Sequence, residues 1–266
     1  MYQTTYHRPS TVADATALFA KGTEAKYLAG GQTLLPVMKQ RLAAPSDVID
    51  LARIKELVGV EASADTLTIK AATTYYDIMT DPAVNKTIPA IAHLTSTLGD
   101  PAVRYRGTIG GSIANNDPAA DFPAAVLALD ATITTNTRSI KAADFFKGLF
   151  STALEDGEII TAVSFPIPEK AAYAKFRHPA SRFALTGVFV AKTKGGDVRV
   201  AATGASQNGV MRVPAIEAAL KASWSAAALD AITIPATGMI EDIHGSAVYR
   251  ANLIKVMAQR AVADAG

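Results

Sequence analysis

The stretch "YLAGGQTLLPVMK", Tyr27 to Lys39, places two adjacent glycines between a short apolar run and a helical pattern. A similar arrangement returns in "GTIGGSIANNDPAAD", Gly107 to Asp121. Glycine has no Cβ, so it accepts positive φ and lets a ligand approach the backbone closely. A helix that follows adds unpaired N–H groups and a partial positive charge. Each stretch is therefore typical of a turn that binds a phosphate group.

Two such turns predict a ligand with two phosphates, approached from both sides. The first turn, Gly30 to Thr33, leads directly into a helix. The second, Gly110 to Ser112, precedes a helix that we predict over 118–129. Asp117 is the expected N-cap of that helix, and Pro118 suits its first position.

Polar side chains near both turns extend this hypothesis. Thr33, Thr108 and Ser112 supply hydroxyl donors. Asp121 lies four residues after Asp117, so the two would share one face of the predicted helix. A carboxylate at that place could accept hydrogen bonds from sugar or ribityl hydroxyls.

The glycines also suit a role in the fold alone. A tight turn into a helix accounts for either pair by itself, because turn glycines are common. The dinucleotide pattern G-x-G-x-x-G and the phosphate-loop pattern G-x-x-x-x-G-K-[ST] are both absent. The nucleophile pattern G-x-S-x-G is absent as well. The sequence therefore predicts neither a Rossmann turn nor a P-loop.

Composition narrows the class of protein. The 266 residues suit two modest domains, and 49% hydrophobic with 19% charged residues indicates a folded globular chain. A net charge of +2 without a long basic run argues against nucleic-acid binding. The absence of cysteine excludes disulfides, thiolate zinc sites, thiolate-bound iron–sulfur clusters and cysteine nucleophiles.

The histidines and the apolar segments give no sign of a metal, secreted or membrane protein. The four histidines show no metal-ligand spacing. The first residues contain no apolar segment typical of a signal peptide, and no stretch approaches the ~18 apolar residues of a membrane span. We therefore expect a soluble cytoplasmic protein without a metal site of its own.

Periodicity predicts an α+β chain with a proline-containing linker over 166–172. After the linker we expect a three-stranded sheet with helices on one face. The predicted strands are 26–29, 47–51, 66–71, 131–135, 158–168, 173–176, 186–193 and 198–205. The predicted helices are 11–21, 34–42, 75–79 capped by Thr74, 88–98 ended by Gly99, 118–129, 213–220, 225–229 and 249–265.

Two segments together resemble a known family. "AGGQTLLPVMK" with "RGTIGGSIANNDPAADFPAAVLALDATI" is similar to the FAD-binding medium subunit of the molybdenum hydroxylases, which include aerobic carbon monoxide dehydrogenase and xanthine dehydrogenase. The resemblance continues through "YAKFRHPASRFALTGVFVA" and covers essentially the whole chain. Either motif alone would be weak, whereas the pair at this spacing is specific.

The resemblance implies a fold and its division. Residues 1–168 would form a vanillyl-alcohol-oxidase-like (PCMH-type) FAD-binding domain, with subdomains of about 1–55 and 56–168. Residues 169–266 would form the C-terminal α+β domain of the carbon monoxide dehydrogenase flavoprotein type.

The resemblance also implies a cofactor site for FAD, held without a covalent bond, and no catalytic or metal-binding residue. Lys175 as a solvated strand residue and Ile160 as a core residue remain alternatives. The implied FAD contacts are Ala29, Gly30, Gly31, Gln32, Thr33, Leu34, Thr108, Ile109, Gly110, Gly111, Ser112, Asp121, Ile160 and Lys175.

Some residues depart from the family pattern. Gln32 stands where many relatives have histidine, and Arg182 stands where some carry an acid. No role follows for Arg182, or for Arg104 to Arg106.

By resemblance the chain would be the electron-transfer subunit of a complex. A large subunit would hold the molybdenum cofactor and a small one the [2Fe–2S] clusters, as a dimer of heterotrimers. Electrons would leave FAD for a quinone or NAD. A carbon monoxide dehydrogenase is the first interpretation, with a xanthine, nicotine or aldehyde hydroxylase as its alternative. A freestanding flavin oxidoreductase and a binding module without enzymatic activity also remain.

Overall fold

The computed structural model describes residues 1–265. Its first segment is a parallel three-stranded sheet in the order β1-β3-β2. The elements are β1 (Thr5–His7), α1 (Val12–Phe19), β2 (Lys26–Leu28), α2 (Leu34–Lys39) and β3 (Asp47–Asp50), followed by a 3₁₀ helix (Lys55–Leu57). Because the strands are parallel, β2 and β3 end at the same edge, where the first glycine pair follows.

The second segment contains an antiparallel five-stranded sheet in the order β4-β5-β10-β6-β7, a separate antiparallel pair of β8 and β9, and helices inserted between the strands. The elements are β4 (Val60–Ala62), β5 (Thr66–Lys70), α3 (Tyr75–Thr80), α4 (Pro82–Thr87), α5 (Pro89–Ser96), α6 (Pro101–Arg104), α7 (Ile109–Asn115), α8 (Phe122–Ala128), β6 (Thr132–Thr135), β7 (Ser139–Lys141), α9 (Ala142–Phe145), β8 (Phe146–Gly148), β9 (Ser151–Thr152) and β10 (Ile160–Pro166).

The third segment is an antiparallel sheet in the order β11-β12-β13-β14. The elements are β11 (Lys170–Arg177), β12 (Ala184–Lys192), β13 (Val198–Thr203), β14 (Met211–Arg212), α10 (Pro214–Ala222), a 3₁₀ helix (Ala226–Leu229) and α11 (Ala247–Asp264). The predicted three strands are all present. The prediction was wrong in strand number, because two-residue β14 is too short to show alternation in the sequence.

Both faces of this last sheet are buried. Val188 and Val190 of β12 pack with Ile254 of α11 in one apolar cluster. Tyr173 and Phe189 belong instead to the large core that is built mainly from the second segment. Helices α10 and α11 lie on one face, as expected, but α5 and α8 of the second segment cover the opposite face, so helices pack on both sides of the sheet. None of the described helices has the length and apolarity to cross a bilayer.

Two predictions about the second glycine pair were wrong. Gly110 and Gly111 do not precede a helix but lie in the first turn of α7. The next helix starts at Phe122 rather than at Pro118, and Asp117 accepts a hydrogen bond from Ala119 N within a turn.

The late start of α8 has a tertiary cause. Thr203 Oγ1 donates to the carbonyl oxygens of Pro118 and Ala120, at 2.9 and 2.7 Å, and Gly204 N–H donates to Pro118 O at 2.8 Å. These bonds keep 118–120 out of the helix. The helical face that we expected Asp117 and Asp121 to share therefore does not exist.

Candidate functional site

The first glycine motif, residues 29–34, lies at the carboxyl edge of the parallel sheet between β2 and α2. Gly31 has φ of +72°, which glycine adopts without strain. Among residues 1–265, no acceptor is found for the backbone N–H groups of Gly30 to Leu34. A run of free amides on a partly exposed turn suits an anion. Since α2 has only six residues, the donors are the amides themselves rather than a long helix dipole.

The second glycine motif is built differently, because its amides are largely used. Thr108 is the N-cap of α7 and accepts a hydrogen bond from Gly111 N at 3.1 Å. Gly110 N donates to Ala71 O at 2.9 Å, and Ser112 N donates to Thr108 O at 3.0 Å. This motif therefore offers a close backbone approach rather than a row of free donors.

Tyr75 fills the space beside the second motif. A Cβ on Gly107 would overlap the Tyr75 ring. Burial raises the pKa of the Tyr75 phenol to about 12, and Ser112 opposes that rise. Tyr75 is therefore neutral at physiological pH.

The structure brings the two predicted glycine motifs into contact. A Cβ on Gly30 would overlap the carbonyl oxygen of Arg106. A Cβ on Gly111 would lie 3.1 Å from the Cβ of Ala29. The absence of side chains at these glycines therefore allows the two backbones to approach each other. This is a packing role for Gly30 that the sequence hypothesis did not include.

A buried charged cluster connects the residue before α8 to β11. Asp121, just before α8, and Lys175, on β11, have side chains that are 1% and 2% exposed. Lys175 Nζ is 2.8 Å from Asp121 Oδ1, and the Tyr173 hydroxyl donates to the same Oδ1 at 2.5 Å. In the described chain, no donor is found for Asp121 Oδ2.

The Lys175 ammonium also keeps unused donors. Its contact with Asp121 has the distance of an ion pair, but the two groups are not aligned as a hydrogen bond. A buried ammonium has three N–H donors and normally pairs them. The cluster thus holds a free acceptor and free donors side by side.

Burial dominates the electrostatics of the cluster. It raises the pKa of Asp121, while Lys175 and Tyr173 oppose that rise. Burial and the Asp121 charge raise the pKa of Tyr173 well above the usual value for a phenol. Tyr173 therefore stays neutral and acts as a donor to the carboxyl group of Asp121.

Ile160 begins β10 and is buried in the large core. Thr161 O, on the next residue, accepts from Ala71 N at 2.9 Å, and Ala71 O accepts from Gly110 N. The residue after Ile160 is therefore linked to the second glycine motif through Ala71 and two backbone hydrogen bonds.

The residues without an assigned role have local partners. Arg104 Nη1 donates to Leu98 O at 2.8 Å, and Tyr105 stacks on Tyr76 with ring centroids 4.1 Å apart. Arg182 has φ of +62° in the turn between β11 and β12. The exposed Gln32 side chain donates to Gly30 O at 3.4 Å.

Sequence reasoning missed two side-chain pairings. Tyr173 received no role, although alternation along β11 places it on the same face as Lys175. The second is a contact between His178 Nε2 and His244 Nδ1 at 3.0 Å, which the wide spacing of the histidines in the sequence did not indicate. Nowhere in residues 1–265 do three metal-ligating side chains gather into a site.

The family is shown by comparison with known proteins. Residues 2–168 match the family described as FAD binding domain in molybdopterin dehydrogenase. This chain is an FAD-binding medium subunit of the molybdenum hydroxylase family. The resemblance noted in its sequence is confirmed, as are the α+β fold class and the assignment to an oxidoreductase with FAD as cofactor.

Relatives of this medium subunit match it over nearly its whole length. The carbon monoxide dehydrogenase medium chain of Afipia carboxidovorans is 36% identical, covering 97% of this chain and 94% of its own. The nicotine 6-hydroxylase medium subunit of Paenarthrobacter nicotinovorans is also 36% identical, with coverage of 98% and 96%. A solved carbon monoxide dehydrogenase from Oligotropha carboxidovorans superposes with a TM-score of 0.89 at 34% identity, covering 99% and 97%.

The backbone amides and side chains at this site suit the chemical groups of FAD. A diphosphate needs several donors, and Gly30 to Leu34 provide unpaired amides. A polyhydroxyl chain needs acceptors and donors. The Lys175 ammonium is buried without a hydrogen-bonded partner in the described residues, and Asp121 presents a carboxylate beside it. Buried polar atoms without partners are rare in folded proteins, so the Lys175 ammonium points to a bound ligand.

Proposed function

We propose that this medium subunit carries electrons through FAD within a molybdenum hydroxylase complex of the carbon monoxide dehydrogenase type. Two relatives named carbon monoxide dehydrogenase medium chain, 36% and 33% identical, support that type. The equally similar nicotine 6-hydroxylase relative and the glyceraldehyde dehydrogenase and xanthine dehydrogenase relatives support the alternative, a hydroxylase of a heterocycle or aldehyde. The main support for FAD binding is that the free amides of Gly30 to Leu34 belong to a motif that contacts the second glycine motif.

The chain's own residues bind and orient the cofactor. The amides of Gly30 to Leu34 would donate to the diphosphate, and the motif from Thr108 to Ser112 would allow it a close backbone approach. Asp121 Oδ2 would accept from a hydroxyl of the flavin side chain, Lys175 would donate to the cofactor, and Ile160 would supply an apolar contact. FAD itself supplies the redox chemistry when bound. The proposed contacts are Ala29, Gly30, Gly31, Gln32, Thr33, Leu34, Thr108, Ile109, Gly110, Gly111, Ser112, Asp121, Ile160 and Lys175.

The other redox centres belong to partner chains in this proposal. With no cysteine, the chain has no thiolate for an iron–sulfur cluster. A small subunit therefore holds the [2Fe–2S] clusters and a large subunit the molybdenum cofactor, in a cytoplasmic dimer of heterotrimers. The external electron acceptor of the bound FAD would be a quinone or NAD. No residue of this chain acts on the substrate of the complex.

The division into domains belongs to the same proposal. Residues 1–168 are the FAD-binding domain, with subdomains of about 1–55 and 56–168, and residues 169–266 are the C-terminal domain. The family match over residues 2–168 supports this boundary. So does the short connection between β10 and β11.

The test is purification of the chain alone and within its native assembly. We expect the assembly to contain molybdenum, iron and one FAD per medium subunit, with all flavin released by acid precipitation. The lone chain should bind FAD and show no turnover of the substrate. Turnover by the lone chain, or a native protein free of molybdenum and iron, would instead support a freestanding flavin oxidoreductase. Flavin that remains in the acid precipitate would contradict non-covalent binding.

A further inference from the structure

Both internal partners of the Asp121 carboxylate converge on one oxygen. The Tyr173 hydroxyl donates to Oδ1 at 2.5 Å, and Lys175 Nζ lies 2.8 Å from the same atom. A carboxylate offers about four acceptor positions on two oxygens. With Oδ1 doubly engaged, Oδ2 is the oxygen that remains for a ligand. The carboxylate is therefore held in one rotational state before the ligand arrives.

The two partners on Oδ1 do not have equal geometry. Tyr173 makes an aligned hydrogen bond, whereas the Lys175 ammonium lies close without alignment. Hydrogen bonds fix direction, whereas a point charge on a flexible stem fixes it poorly. The orientation of the Asp121 carboxylate therefore depends on the Tyr173 hydroxyl more than on Lys175.

The neighbouring strand makes room for that hydroxyl. A Cβ on Gly187 of β12 would overlap the Tyr173 hydroxyl. Gly187 has no positive φ in the structure, so its backbone conformation does not call for glycine. Glycine is needed at position 187 for space, because the Tyr173 hydroxyl that donates to Asp121 occupies the place of a Cβ. Gly187 and Tyr173 are thus two parts of one arrangement.

We infer that Tyr173, seated against Gly187, is a positioning residue that turns Asp121 Oδ2 toward a hydroxyl of the cofactor. The inference rests on the proposed FAD site and adds a residue that contacts Asp121 rather than the cofactor. Preorganisation of this kind strengthens binding because the ligand does not have to order the carboxylate. Tyr173 therefore affects FAD only through Asp121.

A double-mutant cycle on the full chain tests this dependence. FAD affinity is measured by quenching of flavin fluorescence, for wild type, Tyr173→Phe, Asp121→Ala and the double variant. We expect Tyr173→Phe to weaken FAD binding about tenfold in the wild-type background, the value for one hydrogen bond to a charged group. In the Asp121→Ala background the same change should have no effect, because the carboxylate it orients is gone.

Tyr6, which is 52% exposed, supplies a control in another part of the chain. Its hydroxyl donates to Asp50 Oδ2 at 2.5 Å, the same kind of pairing within the first sheet of the chain. Tyr6→Phe should leave FAD affinity unchanged. Gly187→Ala is the second variant, and it should weaken FAD binding like Tyr173→Phe by displacing the hydroxyl.

The outcomes separate this inference from the proposed function. A wild-type chain that binds no FAD would refute the proposed function. FAD binding by Tyr173→Phe as tight as wild type would refute the positioning role alone. The positioning role would also be refuted if Tyr173→Phe weakened FAD binding equally in the wild-type and Asp121→Ala chains. Failure of both Tyr173→Phe and Gly187→Ala to fold would refute it too, because the Tyr173 hydroxyl would then serve the fold in general.

Discussion

Lys175 Nζ lies 2.8 Å from Asp121 Oδ1, and both side chains are almost completely removed from water. The pair joins β11 to the start of α8, so it connects the third segment to the loop that follows the second glycine motif. A buried ion pair contributes little net stability because desolvation offsets the attraction. Its presence together with unused donors therefore indicates a binding role.

Removal of the ammonium leaves the buried carboxylate without its cation. We expect Lys175→Met to lower the free energy of unfolding at neutral pH by about 3 kcal/mol and to reduce the FAD content. The loss should shrink at acid pH, because the unpaired Asp121 takes up a proton. Urea denaturation at several pH values measures both effects. Lys192→Met, which breaks a partly exposed pair with Glu169, is the control and should cost less than about 1 kcal/mol. Equal losses for the two variants would contradict this account.

The two glycines of the second motif should respond differently to substitution. A Cβ on Gly110 would lie 2.6 Å from the Ala71 Cβ, whereas a Cβ on Gly111 would lie 3.0 Å from Thr108 Oγ1. Gly110→Ala should therefore destabilise the fold by about 1–3 kcal/mol. Gly111→Val should reduce FAD content while leaving most of the chain folded.

Flavin absorbance per folded chain and urea denaturation distinguish these effects. If Gly111→Val abolishes folding but leaves the flavin content of the folded fraction unchanged, Gly111 serves the fold and not the cofactor.

The loop that carries Asp121 depends on a threonine of the neighbouring sheet. Thr203 Oγ1 bonds both Pro118 O and Ala120 O. We expect Thr203→Val to cost about 1–2 kcal/mol of stability and to weaken FAD binding, because Asp121 loses its fixed position. Thr186→Val removes a local bond to Leu185 O and serves as the matched control. Unchanged FAD affinity in Thr203→Val would show that the loop is positioned by other contacts.

Acid stability should depend on Glu158. Its side chain is 1% exposed and pairs in bidentate fashion with Arg138, through Nε–Oε1 at 3.0 Å and Nη2–Oε2 at 2.9 Å. The Arg138 hydrogen bond lowers the pKa of Glu158 to about 2. A lowered pKa of an acid stabilises the fold above its unfolded pKa, and that contribution is lost as pH falls toward 2.

Glu158→Gln tests this expectation by comparison of unfolding free energies between pH 2 and pH 6. Arg138 is 40% exposed, so solvent screening reduces the effect to about 2 kcal/mol. The difference between variant and wild type should be largest near pH 6 and small near pH 2. A difference that does not vary with pH would contradict a role for the Glu158 charge.

Local sequence signals were sufficient where local chemistry decides the structure. Thr74 caps α3 by accepting from Asp77 N, as predicted. The strands beside the first glycine pair and the order of the main elements also follow the sequence pattern.

The sequence failed where tertiary contacts compete with local signals. Two Asp residues stand near prolines in "NDPAADFP", and the sequence favoured the first as the start of a helix. Hydrogen bonds from Thr203 and Gly204, which lie far along the chain, hold Pro118 outside the helix, so that the helix begins after Asp121 instead. Helix α7 was not predicted, because it contains two glycines and glycine is a poor helix former.

Hydrogen exchange at the amides of Gly30 to Leu34 tests the central claim most directly. These groups have no protein acceptor within residues 1–265, so they should exchange rapidly in the flavin-free chain. We expect bound FAD to slow their exchange strongly, with little change at Gly110, whose amide is already bonded to Ala71 O. FAD that binds stoichiometrically while the amides of Gly30 to Leu34 still exchange at the flavin-free rate would contradict the proposed site.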